Sequence, residues 1–258
     1  MKSIDHYIRR AAQKITKPWE LIAHAGDKYL CPLCNYSSKD WALTGLDFPV
    51  IREKQIIGAG TRHAVCHKCG SSDRERLVYV YLTQRLQFFA DRNKSVLHIA
   101  PELSLSKKLM PMGLRQYICG DLHASGYHYP SHVQNINVLA IPFDDHSFDL
   151  VICNHVLEHI PDDVAAMKEI YRVLKAAGRA VLQVPISANS AKTHEDFSIT
   201  GPAERERAFG QFDHVRIYGQ DYVDRLQSCG FNVNRQNISA DYPKFGLNLE
   251  EDLFVAEK

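Results

Sequence analysis

Residues 137–185 alternate short apolar runs with polar corners, and this pattern predicts strand, turn, strand, helix and strand in succession. The run Phe148–Cys153 ends at the polar Asn154, as expected of a parallel strand that is buried on both faces. Apolar residues then recur at helical spacing, at Val164, Met167, Ile170, Tyr171 and Leu174. Residues 180–184 supply the next strand. The pattern predicts half of an α/β sheet whose strand ends face a ligand.

The flanking segments extend this sheet. SVLHIA (95–100) and QYICGDL (116–122) predict its first two strands, and GFNVNRQNI and LEEDLFVAEK predict its last two. The motifs IPF, SFD, HVLEH and RVLKAAG, in residues 141–178, resemble those of class I S-adenosylmethionine (SAM)-dependent methyltransferases. The resemblance covers about the C-terminal two thirds of the chain. It implies an α/β fold with a Rossmann-like, doubly wound sheet of about seven strands, the last one antiparallel.

The residues at the corner after the first strand favour SAM over a dinucleotide as the ligand. Pro101 has no amide to offer a pyrophosphate and Glu102 would repel one, whereas a carboxylate suits the ammonium and sulfonium of SAM. Relatives usually carry a glycine-rich turn here, so this corner departs from the family. The cofactor-binding residues that the resemblance implies are His98, Ala100, Pro101, Glu102, Asp121, Leu122, Asn137, Val138 and Asn154.

Two of these residues have specific expected roles. Asp121, at the end of the second strand, is expected to accept hydrogen bonds from the ribose hydroxyls. Asn137 stands where the family usually has Asp, and its side-chain oxygen could accept from the adenine amino group. The alternative, that Asn137 is simply a loop residue, stays open.

Histidines supply the candidate catalytic groups. Methyl transfer needs a base only when the acceptor loses a proton. His155 and His159 flank the corner where acceptors bind in the family, and His214 follows in FGQFDHVRIYG. His155 is the first candidate for base or acceptor positioning and His214 the second, while His159 either joins them or only orients the helix start with Glu158. The HVLEH corner is also compatible with a divalent ion if His214 or His194 completes a site.

Two CxxC pairs lie upstream. Cys31, Cys34, Cys66 and Cys69 have the spacing of a zinc-ribbon site, with a predicted hairpin at VIREKQIIG packed over the metal. Disulfides are the alternative, but no signal-peptide pattern opens the sequence, so a cytoplasmic protein with zinc is expected. His63 and His67 are alternative ligands. We therefore predict two domains, residues 1–92 (N-terminal helix, zinc ribbon and connecting helix) and 93–258 (methyltransferase).

Charge is uneven between these parts. Residues 1–95 contain 16 Lys and Arg against 9 Asp and Glu, while residues 96–258 contain 15 against 21. The basic front end either attracts RNA or docks on the acidic domain. Residues 4–15 fit an amphipathic helix, and no apolar run is long enough to span a membrane.

Three functions are compatible with the sequence. The first is a SAM-dependent methyltransferase for a small-molecule or glycan-type acceptor, with the ribbon as a structural or substrate-shaping module. The second is an RNA methyltransferase, which the formal net charge of +1 disfavours. The third is a non-catalytic interaction protein that keeps the fold.

Overall fold

The computed structural model describes residues 18–123 and 128–258. The helices are α1 (Pro18–His24), α2 (Pro49–Glu53), α3 (Asp73–Val80), α4 (Leu103–Leu109), α5 (Asp163–Val173), α6 (Pro202–Phe209) and α7 (Tyr222–Gln227). The amphipathic helix predicted at residues 4–15 lies outside the described residues. Across the described ranges, no helix combines the length and apolarity needed to cross a membrane.

Seven of the fifteen strands in the described residues form the main sheet. The strands are β1 (Ala25–Leu30), β2 (Ser37–Ser38), β3 (Ala42–Thr44), β4 (Ile56–Ile57), β5 (Arg62–Val65), β6 (Ser95–Ile99), β7 (Gln116–Asp121), β8 (Val133–Asn135), β9 (Phe148–Cys153), β10 (Leu174–Val181), β11 (Ile186–Ser187), β12 (His194–Glu195), β13 (Arg216–Ile217), β14 (Asn232–Gln236) and β15 (Leu253–Glu257). A seven-stranded sheet runs in the order β14-β15-β10-β9-β6-β7-β8.

The sheet has the predicted doubly wound topology. Strands β10, β9, β6, β7 and β8 pair in parallel, and β15 is antiparallel to both β10 and β14. Strand order reverses beside β6, so the carboxyl ends of β6, β7 and β9 border the crevice where such sheets bind ligands. The predicted α/β fold and antiparallel last strand are confirmed.

Apolar residues fill both faces of the sheet. Met167 and Ile170 of α5 are fully buried on one face, which explains the helical spacing seen in the sequence. Asp162 caps α5 by accepting from the Ala165 amide. On the other face, Leu77 and Leu82 pack with the sheet in a cluster that also contains Cys31 of the cysteine-rich segment. The two parts of the chain therefore share one core.

Two sequence-based expectations about local structure are wrong. The strand predicted at the start of residues 137–185 lies upstream, at β8, because the Asn137 side chain accepts from the Leu139 amide and forms a turn there. The VIREKQIIG segment does not form a hairpin over the cysteines. It forms α2 and β4 instead, and β4 pairs with β11 beyond the main sheet. Val50 and Ile51 of α2 pack against Phe209, which draws the segment onto the C-terminal part of the chain.

Candidate cofactor and acceptor sites

The carboxyl ends of β6, β7 and β9 bring three predicted cofactor residues to one edge of the sheet. Ala100 follows β6 with a backbone φ of +46°, and its amide donates to the Gly120 carbonyl at 2.7 Å. Asp121 ends β7, and Asn154 follows β9. The left-handed backbone at Ala100 is the conformation that the glycines of related turns adopt most easily. The non-glycine corner thus keeps the shape of the turn at some cost in strain.

Glu102 is held rigidly at this edge. Its carboxylate contacts His98 Nε2 at 3.0 Å and accepts from Asn154 Nδ2 at 3.2 Å. His98 is fully buried, and its Nδ1 lies 2.8 Å from the Tyr117 hydroxyl. Burial opposes ionisation of Glu102, but the hydrogen bond from His98 holds the pKa of Glu102 below its ordinary value. A fixed carboxylate at this position suits a cationic ligand group.

At the same edge, Asn154 has a buried acceptor without a hydrogen bond and Asp121 has a partly buried carboxylate. The Asn154 side-chain oxygen is buried without a hydrogen-bond partner in the described chain. Burial raises the pKa of Asp121, because its carboxylate has partly lost contact with water. Buried polar atoms are normally hydrogen-bonded, so an orphaned acceptor beside a partly desolvated carboxylate points to a ligand with donor groups.

The remaining predicted cofactor residues differ in exposure. Leu122 is 55% exposed, whereas Val138 is buried in the core with Ile136. Asn137 is exposed and its oxygen already accepts from Leu139, which favours its interpretation as a turn residue. Pro101 lies half-buried between Ala100 and Glu102.

A cavity of about 270 Å³ is lined by four residues that follow Asn154 in the chain, namely His155, Glu158, His159 and His214. His155 has a left-handed backbone, with φ of +53°. Its Nδ1 lies 3.5 Å from Glu158 Oε1, and its buried Nε2 has no hydrogen-bond partner within the described residues. Burial lowers the pKa of His155, so the neutral imidazole is favoured. His155 combines a left-handed backbone, one ring nitrogen without a partner and a position in the cavity wall, which are features of a reactive group.

The other two histidines lie close together on the same wall. The rings of His159 and His214 meet edge to face, with centroids 4.7 Å apart. Burial opposes protonation of His159, but its contact with Asp213 raises the pKa of His159 above the ordinary value. Burial lowers the pKa of His214 to about 4. The structure thus brings the three predicted catalytic histidines to one cavity.

Part of the cavity wall comes from the segment between the two CxxC pairs, which the sequence pattern did not connect with the acceptor. Lining residues of this segment lie between Thr44 and Arg62. Gly45 and Gly60 both have positive φ, and a Cβ at position 45 would overlap the Gly60 carbonyl. The glycines of IIGAG were the available signal, since closely approaching backbones need them.

Four thiols converge at the predicted ribbon. The Sγ atoms of Cys31, Cys34, Cys66 and Cys69 all lie within 4.8 Å of one another. The Cys31–Cys69 separation is 3.6 Å and the Cys34–Cys66 separation 3.7 Å. A tetrahedral zinc with Zn–S bonds of about 2.3 Å requires S···S separations of about 3.8 Å. These two separations match that value, so the four thiols are suited to hold zinc.

The two cysteine turns repeat one geometry. Asn35 and Gly70 follow the pairs with φ of +56° and +75°, and their amides donate to the carbonyls of Cys31 and Cys66. All seven cysteines are free thiols. His63 and His67 contact Trp41 and Asp40 respectively, outside the group of four thiols.

Comparisons with known proteins agree with the resemblance. Residues 105–182 match the family model described as a methyltransferase domain. An uncharacterized protein of Methanocaldococcus jannaschii is 46% identical over 48 residues, 19% of this chain and 21% of that protein. A demethylmenaquinone methyltransferase of Lactococcus lactis is 47% identical over 45 residues, 17% of this chain and 18% of that protein. The chain spans about a fifth of the length of these curated relatives.

Solved structures similar to this chain include a methyltransferase. The 1,6-didemethyltoxoflavin-N1-methyltransferase of Burkholderia thailandensis, with 1,6-didemethyltoxoflavin and S-adenosylhomocysteine bound, is 18% identical to this chain. The match covers 71% of this chain and 77% of that one, with a TM-score of 0.48. The family match over residues 105–182 and the observed sheet order agree with the methyltransferase fold that the motifs predict.

Proposed function

We propose that this chain is a SAM-dependent methyltransferase that binds a small-molecule acceptor in the cavity beside His155. The observation that carries the proposal is that Glu102, Asn154 and Asp121 lie at the carboxyl edge of the sheet, and that Asn154 directly precedes His155 in the cavity wall. SAM would supply a methyl group on a sulfonium, which leaves as a neutral thioether when an acceptor attacks the methyl carbon.

The protein's own groups have complementary tasks. Asp121 accepts from the ribose hydroxyls, while Glu102 and the free Asn154 oxygen face the ammonium of the amino-acid end. His155 holds the acceptor and takes its proton at Nε2, the ring nitrogen that lacks a partner within the described chain. The cavity walls would align the acceptor with the methyl carbon.

We propose residues 93–258 as the methyltransferase domain and residues 1–92 as a zinc-binding, substrate-shaping module. Support comes from the four-thiol geometry and from the wall that residues 44–62 build around the cavity. Zinc would cross-link the two cysteine turns and thereby fix the segment between them. Seven free thiols suit a reducing compartment such as the cytoplasm.

Calorimetric titration with SAM and S-adenosylhomocysteine tests the cofactor site. Micromolar binding is expected, and no binding at millimolar ligand would favour the non-catalytic alternative. Acceptor class is tested by incubating the protein with labelled SAM and either a panel of hydroxyl-bearing metabolites or total RNA. Label in RNA but in none of the metabolites would replace the small-molecule proposal with the RNA one.

A variant separates catalysis from cofactor binding. His155→Gln should lower kcat about 100-fold or more, the contribution expected of a general base, while SAM affinity stays within about twofold of wild type. Equal kcat in the two proteins would remove His155 from the mechanism.

A further inference from the structure

Three side chains on one wall of the cavity present donor atoms to a common point. One donor atom from each of Glu158, His159 and His214 lies within 4.8 Å of the other two. Glu158 and His214 are buried and His159 is half-buried. A carboxylate and two imidazoles on one side of a cavity leave the other side open for further ligands.

Backbone contacts hold this arrangement in place although its parts are far apart in sequence. The Val215 amide donates to the Glu158 carbonyl at 3.0 Å. Arg216, which is fully buried, donates to the carbonyls of Leu157 and Ile160 at 2.8 and 2.5 Å. His214, which precedes Val215, is thereby fixed against the 157–160 turn. The ligand atoms of Glu158, His159 and His214 are therefore preorganised.

The Glu158 carboxylate makes long contacts with two neighbouring imidazoles. Glu158 Oε1 lies 3.5 Å from His155 Nδ1 and 4.0 Å from His214 Nε2. Metal–ligand bonds of about 2.1 Å place neighbouring ligand atoms about 3.0 Å apart in an octahedral site and about 3.4 Å apart in a tetrahedral one. The Glu158–His214 separation, the one of the two that lies within the converging group, exceeds those values by about 1 Å or less.

The carboxylate is also incompletely satisfied. Glu158 is only 2% exposed, and its Oε2 has no hydrogen-bond partner in the described part of the chain. Leaving a buried carboxylate oxygen unpaired is costly, so a cation is the expected occupant. Asp213 contacts Nδ1 of His159 at 3.3 Å, which leaves Nε2 as the nitrogen available to a metal. Such carboxylate–histidine contacts commonly orient metal ligands.

We propose that Glu158, His159 and His214 bind one divalent transition-metal ion whose open positions face the cavity. Nitrogen and oxygen ligands of this kind suit ions of the Mn²⁺ to Zn²⁺ series. Resting on the proposed function, the inference extends to the acceptor: two neighbouring oxygens, as in a vicinal diol or a hydroxy acid, would chelate this ion beside His155. His194, the other histidine that the sequence offered, is exposed in β12 and is not one of the converging residues.

Manganese binding tests the site without any activity measurement. Zinc-loaded protein is titrated with Mn²⁺ in the absence of SAM, and free Mn²⁺ is counted from its electron paramagnetic resonance signal. Wild-type protein should bind one Mn²⁺ per chain. Glu158→Gln and His214→Gln should each weaken that binding at least tenfold, while the matched control His194→Gln should leave it unchanged.

Zinc content and thermal unfolding of each variant show that the ribbon and fold remain intact. Absence of bound Mn²⁺ in the wild-type protein, or equal affinity in the wild type and both site variants, would overturn the proposal. SAM titration of the same samples keeps the two proposals apart. SAM binding without Mn²⁺ binding removes only the metal site, and Mn²⁺ binding without SAM binding removes the methyltransferase proposal and the acceptor class resting on it.

Discussion

The guanidinium of Arg76 lies over the indole ring of Trp41, 4.0 Å from its centre. Arg76 is fully buried, and it donates to the carbonyls of Ala64, Ser71, Phe245 and Gly246. The first two carbonyls flank the second cysteine pair and the last two belong to the loop before β15. A single side chain therefore joins the cysteine-rich segment to the C-terminal part of the chain.

Arg76→Met should destabilise the protein by about 3 kcal/mol, because four carbonyls lose the charged donor that a fully buried side chain supplies to them. The free energy of unfolding is measured by urea denaturation. Arg85→Met is the matched control: Arg85 lies on the turn that continues the same helix, but its pair with Asp241 is exposed. We expect the control to change the free energy of unfolding by less than about 0.5 kcal/mol. Similar losses in both variants would contradict the role of Arg76.

Asp121 should contribute to SAM affinity. Asp121→Asn keeps the shape of the side chain but removes the charge and one acceptor, so SAM should bind at least about tenfold more weakly, or about 1.4 kcal/mol. Calorimetry measures the Kd. Asp144→Asn, at an exposed position before β9, should leave the Kd unchanged. An unchanged Kd for Asp121→Asn would move the ribose site elsewhere.

Ala100 offers a test of the unusual corner. Its φ of +46° is unfavourable for any residue with a Cβ, so Ala100→Gly should stabilise the protein by up to about 1 kcal/mol. Ala177, with φ of +60° and an exposed side chain, provides a matched substitution away from the cofactor edge. Thermal unfolding should shift upward for both variants, and only Ala100→Gly should change SAM affinity. A lower midpoint for Ala100→Gly would show that the Cβ makes a contact that outweighs the strain.

Zinc content tests the four-thiol site. Wild-type protein purified without chelator should contain one zinc per chain by elemental analysis. Cys66→Ser removes a ligand and should lose most of that zinc, while Cys119→Ser alters a buried thiol of β7 and should retain it. Absence of zinc from the wild type, or its full retention in Cys66→Ser, would exclude the site.

Local pattern predicted those parts of the fold that local interactions determine. The sequence predicts β9 from the apolar run Phe148–Cys153 and α5 from the helical spacing of Met167 and Ile170. Both elements can be recognised because their hydrophobic period appears in residues that are close together in the sequence. The CxxC spacing likewise predicts a turn in which two thiols point the same way. By contrast, β8 contains only Val133–Asn135, and three residues carry no detectable period.

The acceptor cavity depends on long-range contacts that no local pattern records. Ile56 and Ile57 read as a hairpin strand until their partners, Ile186 and Ser187, are known. His214 approaches Glu158 because Arg216 binds carbonyls more than fifty residues away. Sequence reasoning named the histidines as candidates, but only the fold shows which of them share a wall.

Glu251 should make stability depend on pH. It is buried, neither carboxylate oxygen has a hydrogen-bond partner in the described chain, and burial raises the pKa of Glu251 to about 7. Asp73 adds to this effect, while Arg62, Arg74 and Gln183 oppose it. The pKa of Glu251 in the folded protein lies above its ordinary value of about 4.3. The protonated form therefore contributes its full stabilisation at pH values below about 4.3. It is lost as the pH rises through 7.

Glu251→Gln removes this dependence, since the amide stays neutral at every pH. Relative to wild type, the variant should gain stability between pH 5 and pH 8, by up to about 3 kcal/mol. Urea denaturation at several pH values measures the difference in unfolding free energy. Glu250→Gln, its exposed neighbour, should show no such trend. Parallel pH profiles for wild type and Glu251→Gln would mean that Glu251 stays ionised in the folded protein and is paired there with Arg62 or Arg74.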